Sequence, residues 1–260
     1  MSGRIITMKS AEEFAKMEVA GACVAAVHAA VREAAVPGAS MKELDRISAE
    51  VVRSHDCRPS FLGYHGFPAT ICASPNNVIV HGIPDDYRLI EGDIVSIDAG
   101  AIYEGWHGDA AFTMAIGGVP AEVTTLLEVT EQALWNGIAQ TAHGKRLGDV
   151  GHAIEATALP HGYGVVREYI GHGIGRQMHE APEVPNYGAP GKGMKLKRGM
   201  ALAIEPMFNL GSAETRVLDD GWTVVTRDGK LSAHFEHTVA ITADGPKVLT
   251  LPEPVLVSTG

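Results

Sequence analysis

Four carboxylates lie in or beside apolar, strand-like stretches of the chain. Asp98 and Glu205 each follow a short apolar run, Asp109 opens a β-rich run, and Glu236 lies within another. Any one of them is more often a strand-end residue facing water, but four such placements favour a shared centre. Clustered carboxylates repel one another unless they are protonated or neutralised by cations. The pattern therefore favours a centre that binds divalent metal ions.

Three histidines lie near tight turns and could add imidazole ligands or catalytic groups. His172 and His179 are seven residues apart in a glycine-rich segment, and His81 begins the turn-like His-Gly-Ile-Pro sequence. The glycines indicate a tight, exposed backbone. A lone histidine is more often structural than catalytic. The glycine run lacks the GxGxxG spacing and a βαβ context, which argues against a dinucleotide site.

The elements that position these residues occur in the order helix, helix, strands, twice along the chain. Capping boxes at Ser10 and Ser40 predict the starts of two helices. The first runs to about Ala35, and the second carries an apolar stripe of Leu44, Ile47, Val51 and Val52. Pro120 suits the first turn of a third helix, and a fourth begins near Leu147. Strands are predicted around residues 70–73, 77–80, 93–99, 110–116, 165, 201 and 224, with a hairpin turn at 227–229.

Local sequences in the two halves also echo each other. Residues 38–44 resemble 144–150, and residues 91–98 resemble 198–205, with offsets of 106 and 107 residues. These echoes indicate a duplicated αβ unit, and two copies are too few for a solenoid. We therefore expect an α+β protein with one pseudo-symmetric catalytic domain over residues 1–260, with halves of about 1–118 and 119–260.

Composition narrows the classes of protein. The 260 residues are 45% hydrophobic and 20% charged, which is ordinary for a soluble globular chain. A net charge of −10 disfavours binding to nucleic acid or an anionic membrane. Cys23, Cys57 and Cys72 have no CxxC spacing, so a disulfide framework or thiolate zinc site is not expected. The longest apolar stretch, about 13 residues, is shorter than the roughly 20 that cross a bilayer. We expect a cytoplasmic protein.

Eight short motifs, taken together, resemble those of the type I methionine aminopeptidases, in the bacterial short form without an N-terminal extension. The resemblance runs from about Lys9 to Leu251 and implies the pita-bread fold, a pseudo-two-fold repeat of helix-helix-strands around a central antiparallel-rich sheet. The motifs are Gly63–Pro68, His81–Pro84, Ser96–Gly100, Gly108–Asp109, Gly171–Gly175, Met178–Glu180, Ile204–Pro206 and Phe235–Thr238.

The resemblance implies a set of five ligands to two divalent metal ions. Asp109 and Glu236 would bridge the ions, Asp98 would bind one of them, and the other would be bound by His172 and Glu205. Four carboxylates carry about four negative charges, which match two divalent cations. Oxygen-rich ligands suit Mn²⁺, Fe²⁺, Co²⁺ or Zn²⁺, and ligand identity does not choose among them.

The implied reaction is removal of the N-terminal methionine from nascent proteins and peptides with a small second residue. A hydroxide bridging the two metal ions would attack the scissile carbonyl. By resemblance, Glu205 is the general base and proton shuttle. His179 would hydrogen-bond the carbonyl oxygen, and His81 would contact the scissile amide nitrogen. Ser2 is a small second residue, so we also expect loss of the protein's own Met1.

The resemblance also implies an apolar pocket for the methionine side chain. Its lining would comprise Tyr64, Phe67, Cys72, Met178, Met207 and Trp222, with Phe61 nearby. Aromatic and methionine residues near strands more often belong to the hydrophobic core than to a pocket. A purely structural role for these residues therefore stays open. Relatives often carry Phe at position 178 and Tyr at 67, which leaves the pocket's shape open. Cys72 has no evident activating base and is expected to form wall rather than act as a nucleophile.

The expected partners are the N-termini of nascent polypeptides, bound by a monomer that contacts neither membrane nor specific nucleic acid sequences. The loop 180–199 contains Lys192, Lys195, Lys197 and Arg198, which would allow a transient ribosome contact. A solvated loop is the simpler interpretation of these charges.

Two rival functions remain at this stage. An Xaa-Pro aminopeptidase or dipeptidase of the same fold usually carries an extra N-terminal domain, for which a first helix near Ser10 leaves no room. The type II methionine enzymes carry a helical insertion that is not apparent here. A non-catalytic binding protein of this fold would have lost ligands, yet all five are present.

Overall fold

The computed structural model describes residues 6–258, so Met1 and Ser2 lie outside the described residues. Four α-helices come in two pairs, one in each half of the chain. Their bounds are Ala11–Ala34 (α1), Met41–Ser54 (α2), Ala121–Ile138 (α3) and Leu147–Ala158 (α4), with short 3₁₀ turns at Tyr64–Gly66 and Leu159–His161.

The helices begin where polar side chains satisfy their first backbone N–H groups. The Ser10 hydroxyl accepts from the N–H of Glu13 at 3.3 Å, and the Glu13 carboxylate accepts from the N–H of Ser10 at 2.9 Å. This is the predicted capping box. Ser40 likewise accepts from the N–H of Glu43, but the Glu43 carboxylate pairs with Arg46 instead of returning to the cap.

Residues 6–258 contain sixteen strands, five between α2 and α3 and eleven after α4, and all their pairings are antiparallel. The strands are Arg58–Pro59 (β1), Ile71–Pro75 (β2), Val78–Val80 (β3), Ile94–Tyr103 (β4), Trp106–Ala115 (β5), Gly164–Val165 (β6), Gly171–Gly173 (β7), Glu180–Val184 (β8), Ala201–Ile204 (β9), Met207–Asn209 (β10), Thr215–Val217 (β11), Val224–Thr226 (β12), Ser232–His234 (β13), Glu236–Ile241 (β14), Pro246–Val248 (β15) and Val255–Leu256 (β16).

The main sheet contains ten strands and joins the two halves of the chain. Its central order is β1-β4-β5-β14-β9-β7-β8, with β2 paired to β4, β15 to β14 and β16 to β15. The sheet passes from the first half to the second at the pairing of β5 with β14, where Ala111 lies opposite Glu236. Two three-stranded sheets, β13-β10-β6 and β11-β12-β3, flank it.

Helix α1 covers one face of the main sheet. A Cβ added to Gly108 on β5 would lie 2.8 Å from the backbone nitrogen of Gly21 on α1, so only glycine permits this close approach. His28 on α1 packs edge-on against Phe112 of β5. Because side chains alternate along a strand, Asp109 points to the opposite face, away from α1.

The length of α1 exceeds the apolar stretch that the sequence suggested. Its most apolar 18 residues have a mean hydropathy of 1.4, so by length and composition this helix could span a membrane. Cys23, Val24, Val27 and Val31 are fully buried in the main core cluster. This burial is what a core helix requires.

The prediction of a hairpin at residues 227–229 is wrong, because the strands on either side of the turn do not pair with each other. The turn is present, with the N–H of Gly229 directed at the carbonyl of Thr226. The flanking strands β12 and β13 belong to different small sheets and do not pair with each other. The Asp228 carboxylate accepts from the N–H of Ser212, which ties the turn to another segment.

Candidate active site

Four neighbouring strands bring the four predicted carboxylates together in the main sheet. Asp98 lies on β4 and Asp109 on β5, Glu236 begins β14, and Glu205 directly follows β9. The strands β4, β5, β14 and β9 are consecutive in the sheet. All four carboxylates line one cavity. The sequence separation of these residues is large, but the sheet order makes them adjacent.

His172 on β7 approaches the carboxylates from the strand beside β9. Its Nε2 lies 3.6 Å from Oε1 of Glu205 and 3.9 Å from Oδ2 of Asp109. Its Nδ1 lies 2.9 Å from the carbonyl oxygen of Gly173. A carbonyl can only accept, so Nδ1 carries the proton and Nε2 keeps a lone pair directed at the acids. This is the tautomer that a metal-ligating histidine needs.

The site is strongly acidic and has no cationic side chain in its lining. Burial raises the pKa of Asp98 to about 7, against the lowering effect of its hydrogen bond with Asp109. Burial and repulsion by the neighbouring carboxylates raise the pKa values of Asp109, Glu205 and Glu236 well above their usual range. Burial lowers the pKa of His172 to about 3, so its imidazole is neutral. Without added cations, these acids resist ionisation.

The donor atoms fit a divalent metal ion. Oδ1 of Asp98, Oδ1 of Asp109 and Oε1 of Glu236 are buried and have no hydrogen-bond partner. Such atoms carry a desolvation cost unless something coordinates them. Asp109, His172 and Glu236 each offer one possible ligand atom, and these three atoms lie within 4.8 Å of one another. Oxygen and imidazole donors in this arrangement are those of catalytic sites for first-row divalent cations.

Two buried threonines fix the strands that carry these ligands. The hydroxyl of Thr238 accepts from the N–H of Asp109 at 3.0 Å and donates to the Asp109 carbonyl at 2.8 Å. We call this reciprocal pair the Thr238–Asp109 clasp. Thr113 makes the same kind of pair with His234, at 2.8 Å in both directions. These bonds hold β5 against the segment that carries Glu236.

The two other predicted histidines, His179 and His81, line the same cavity. Nδ1 of His179 lies 2.7 Å from the hydroxyl of Tyr64. Burial lowers the pKa of His179, and burial together with His179 lowers the pKa of His81 to about 4. His81 has a φ of 61°, an unusual backbone state for a non-glycine residue. Both pKa shifts favour the neutral imidazole, and both rings lie at the edge of the acidic centre.

An apolar recess adjoins the acids in this cavity of about 140 Å³. Phe67 packs edge-on against Phe61 and Trp222, with centroid distances of 6.5 and 5.2 Å. Burial raises the pKa of the Cys72 thiol well above its usual value, which keeps it neutral. The predicted pocket residues in the lining are Phe61, Tyr64, Phe67, Cys72, Met178 and Trp222.

Met207 is the one predicted pocket residue that the structure places elsewhere. It is fully buried and is absent from the lining of the cavity. It packs in a separate apolar cluster with Ile79, Val80, Val166 and Val224. Its strand, β10, belongs to a small flanking sheet rather than to the main one.

Sequence reasoning missed His234. Its Nε2 is buried without a hydrogen-bond partner and lies 4.0 Å from Oε2 of both Glu205 and Glu236. Its position two residues before Glu236 could have indicated this placement, since alternate residues of an extended chain share a face.

Sequence reasoning also missed a buried ion pair beside the site. Lys9 Nζ lies 2.7 Å from Oε2 of Glu180, the residue that follows His179. Burial lowers the pKa of Lys9 against the opposing pull of Glu180. Burial opposes ionisation of Glu180, yet bonds from Lys9, Thr7 and the N–H of Gln177 outweigh it and lower the Glu180 pKa. No local spacing could reveal a contact across 171 positions.

Comparison with known proteins places this chain in a family. The family model of metallopeptidase family M24 matches residues 15–243. The chain is 52% identical to methionine aminopeptidase 1 of Mycobacterium tuberculosis, over 95% of this chain and 96% of that protein. It is 47% identical to methionine aminopeptidase 1 of Bacillus subtilis, over 95% and 99% of the two chains.

Solved structures show the same relationship. Methionine aminopeptidase from Thermotoga maritima superposes with a TM-score of 0.93 at 43% identity, over 95% of this chain and all of that one. The prolidase from Pyrococcus furiosus shares the fold, with a TM-score of 0.78 at 23% identity, over 95% of this chain and 66% of that one.

The chain therefore belongs to metallopeptidase family M24 and, within it, to the methionine aminopeptidases. The predicted pita-bread fold is confirmed, as is the predicted enzyme class, a metal-dependent aminopeptidase that removes an N-terminal methionine.

Proposed function

We propose that this enzyme removes methionine from nascent proteins and peptides with a small second residue, at a centre for two divalent metal ions. The observation that carries the proposal is the convergence of four carboxylates and one imidazole in one cavity whose lining has no lysine or arginine. The five proposed ligands are Asp98, Asp109, His172, Glu205 and Glu236.

Charge balance supports two ions rather than one. Four ionised carboxylates carry about four negative charges, which two divalent cations offset. Asp109 and Glu236 lie on the adjacent strands β5 and β14, between Asp98 on one side and Glu205 on the other. This order suits Asp109 and Glu236 as the bridging ligands. Mn²⁺, Fe²⁺, Co²⁺ and Zn²⁺ all suit these donors.

The chain's own residues would position the substrate and move its protons. Bound divalent cations supply Lewis acidity and lower the pKa of the attacking water. Glu205 lines the cavity beside this centre and would receive the proton of the nucleophile and pass it to the leaving amine. His81, on the same cavity, would contact the scissile nitrogen.

His179 would stabilise the carbonyl oxygen as negative charge develops. The 2.7 Å bond between the Tyr64 hydroxyl and Nδ1 of His179 allows either direction. In the proposed role the hydroxyl would donate to Nδ1, which would leave Nε2–H free to donate into the cavity. The ring lies with its centroid 4.2 Å from that of His172, close to the proposed metal ligands. The recess of Phe61, Tyr64, Phe67, Cys72, Met178 and Trp222 would hold the methionine side chain.

A metal-activated peptide assay tests the proposed function. Metal-free enzyme is supplied in turn with Mn²⁺, Fe²⁺, Co²⁺ and Zn²⁺ and given Met-Ala-Ser or Pro-containing dipeptides. We expect methionine release from Met-Ala-Ser and little cleavage of the dipeptides. Glu205→Gln should slow methionine release by about 10²–10⁴-fold, the usual effect of losing a general base. No release with any of the four metals would refute the proposal.

A substitution of His179 tests whether its role in catalysis is distinct from metal binding. His179→Ala should lower kcat by about 10²–10³-fold, as the loss of one donor to a developing oxyanion does. Metal content, measured on the same preparation by elemental analysis, should stay at the wild-type level. A parallel loss of metal and activity would instead make His179 a ligand or a structural residue.

A basic surface bears on the proposed ribosome contact. It comprises Lys145, Arg146, Lys192, Lys195, Lys197 and Arg198. The two segments are joined by bonds from the N–H of Gly144 to the carbonyl of Leu196 and from the N–H of Leu147 to the carbonyl of Met194, both at 3.0 Å. Within residues 6–258, none of these six cations forms a side-chain ion pair.

This basic surface would support transient docking of a cytoplasmic monomer on ribosomes. Phosphate contacts of this kind weaken steeply as salt rises. Co-sedimentation with ribosomes should therefore fall between low and physiological salt, and should fall further when Lys192, Lys195 and Lys197 are changed to Gln. Sedimentation that is independent of both salt and these lysines would contradict the contact.

A further inference from the structure

A second cavity lies against the proposed methionine pocket and shares a wall with it. This outer cavity measures about 410 Å³ and includes Pro59, Leu62 and Ile102 in its lining. Tyr64 and Met178 line both it and the inner pocket of about 140 Å³. The wall between the two spaces is therefore formed by these two side chains.

The two wall residues are held very differently. The Tyr64 hydroxyl is anchored by its 2.7 Å hydrogen bond to His179, and its ring packs against His65 at a centroid distance of 4.4 Å. Met178 packs in the apolar cluster that includes Phe61, Phe67 and Cys72. Methionine is unbranched, has three rotatable side-chain bonds and adapts readily to new neighbours. Met178 is thus the side of the wall that can move.

The outer cavity has the chemistry to accept the end of an extended side chain. Pro59, Leu62 and Ile102 provide apolar contacts, and Leu62 is 55% exposed, so the cavity opens towards solvent. Its polar side is lined by Arg58, Ser60, His107 and Gln177, and His107 is held by a 2.9 Å hydrogen bond with Ser60. A linear aliphatic chain passing the wall would exchange water for these apolar groups, which is favourable.

We propose that the outer cavity is a binding site for linear N-terminal side chains longer than methionine, and that Met178 is the partition that sets the length limit. This inference rests on the proposed function, because it assumes that the inner pocket holds the first side chain of the substrate. Removing most of the Met178 side chain should join the two spaces and relax selectivity for length.

The test compares two tripeptides on wild-type enzyme and on Met178→Ala. Met-Ala-Ser is the reference, and the probe carries L-2-aminooctanoic acid, a linear six-carbon side chain, in place of methionine. We expect Met178→Ala to raise the ratio of kcat/KM for the probe to that for Met-Ala-Ser by about 10-fold or more, the scale on which a pocket discriminates single methylenes. Far-ultraviolet circular dichroism checks folding, and Met178→Val replaces the alanine variant if needed.

A second substitution locates the extended chain. Gln177 is exposed and lines the outer cavity but not the inner pocket, so Gln177→Trp would fill the outer space. The Met178→Ala/Gln177→Trp double variant should lose the gain for the probe. Phe67→Ala is the matched control, because Phe67 lines only the inner pocket. Any gain from Phe67→Ala should persist when Gln177→Trp is added.

The outcomes separate this inference from the proposed function. If wild-type enzyme fails to cleave Met-Ala-Ser with any metal, the proposed function fails. If a folded Met178→Ala enzyme cleaves Met-Ala-Ser without a gain for the probe, the partition is refuted. A gain that survives Gln177→Trp would place the extended chain elsewhere and would also overturn the proposal.

Discussion

Two groups of buried acids lie near each other in this protein and reach electroneutrality by different routes. Glu180 is paired with Lys9, so a cation within the chain stabilises its charge. Asp98, Asp109, Glu205 and Glu236 share a cavity whose lining contains no lysine or arginine. The charge of Glu180 is neutralised within the polypeptide, whereas the four central carboxylates are suited to neutralisation by added cations.

The difference shows in the direction of the pKa shifts. Bonds from Lys9 and its neighbours leave the pKa of Glu180 lower than usual, despite burial. Burial raises the pKa of Asp98 to about 7. Burial and mutual repulsion raise the pKa values of Asp109, Glu205 and Glu236. Burial of an acid alone therefore does not mark a metal site; burial without a chain cation is what supports the proposed metal site here.

The largest effect should come from neutralising one central acid. Asp109→Asn removes a proposed bridging charge, so we expect metal affinity to fall and kcat/KM to drop by about 10³-fold or more, since a metal centre supplies several kcal/mol to the barrier. The metal-free variant should nevertheless be more stable than metal-free wild type, because folding no longer has to protonate the Asp109 carboxylate or bury it beside the other acids.

Isothermal titration with Mn²⁺ and urea unfolding in chelator measure the two effects of Asp109→Asn. Asp86→Asn is the control, because the Asp86 carboxylate is exposed and paired with Lys42 on the surface. A metal-free Asp109→Asn protein that is less stable than wild type would show that the central acids do not repel one another.

A smaller effect should follow from removing the chain cation. Lys9→Met leaves Glu180 buried without its partner, which should destabilise the fold by about 3–5 kcal/mol. Adding Glu180→Gln should restore part of that loss, because the uncompensated charge disappears. Lys42→Met breaks the exposed pair with Asp86 and should cost about 0–1 kcal/mol. Equal losses for Lys9→Met and Lys42→Met in urea unfolding would remove the distinction between the two pairs.

The smallest effect is a pH dependence of opposite sign in the two regions. The folded pKa of Asp98 is raised from 3.8 to about 7, so its contribution to stability is present below pH 4 and is lost as pH rises towards 7. The slope approaches about 1.4 kcal/mol per pH unit for one proton. The folded pKa of Glu180 is lowered, so its contribution is present above 4.5 and is lost on acidification.

Unfolding of chelated and metal-saturated enzyme between pH 5 and 7 tests this contrast. Chelated enzyme should lose stability as the pH rises, whereas bound cations should keep the acids ionised and remove that loss. Glu180 is ionised throughout this interval and adds little to the slope. Identical slopes with and without metal would argue against a metal centre at these acids.

The sequence predicted the sheet-borne part of the site better than the rest. Asp98 and Glu205 were noticeable because each ends an apolar run, and the internal repeat related them. Strand periodicity and the repeat also supported the helix-helix-strands order. The ligand assignments themselves came from resemblance, because repeat and periodicity do not state which strands become neighbours.

Contacts between segments far apart in the sequence could not be predicted from local sequence patterns. The pairing of Lys9 with Glu180 and the hydrogen bond between Tyr64 and His179 depend on how separate segments meet in the folded chain. Met207 follows the Glu205 motif in sequence, yet strand β10 turns into a flanking sheet and takes its side chain away from the cavity. The turn at Asp228–Gly229 was recognisable, but the partners of its flanking strands were not.

The proposed metal centre draws its ligands from two segments of the chain, which the Thr238–Asp109 clasp holds together. Asp98 and Asp109 come from the segment before α3, whereas His172, Glu205 and Glu236 come from the segment after it. Neither segment alone contains enough donors for the centre. If the chain were divided between β5 and α3, activity would return only when the two fragments recombined and closed the clasp. Methionine release would then serve as a complementation signal for their reassembly.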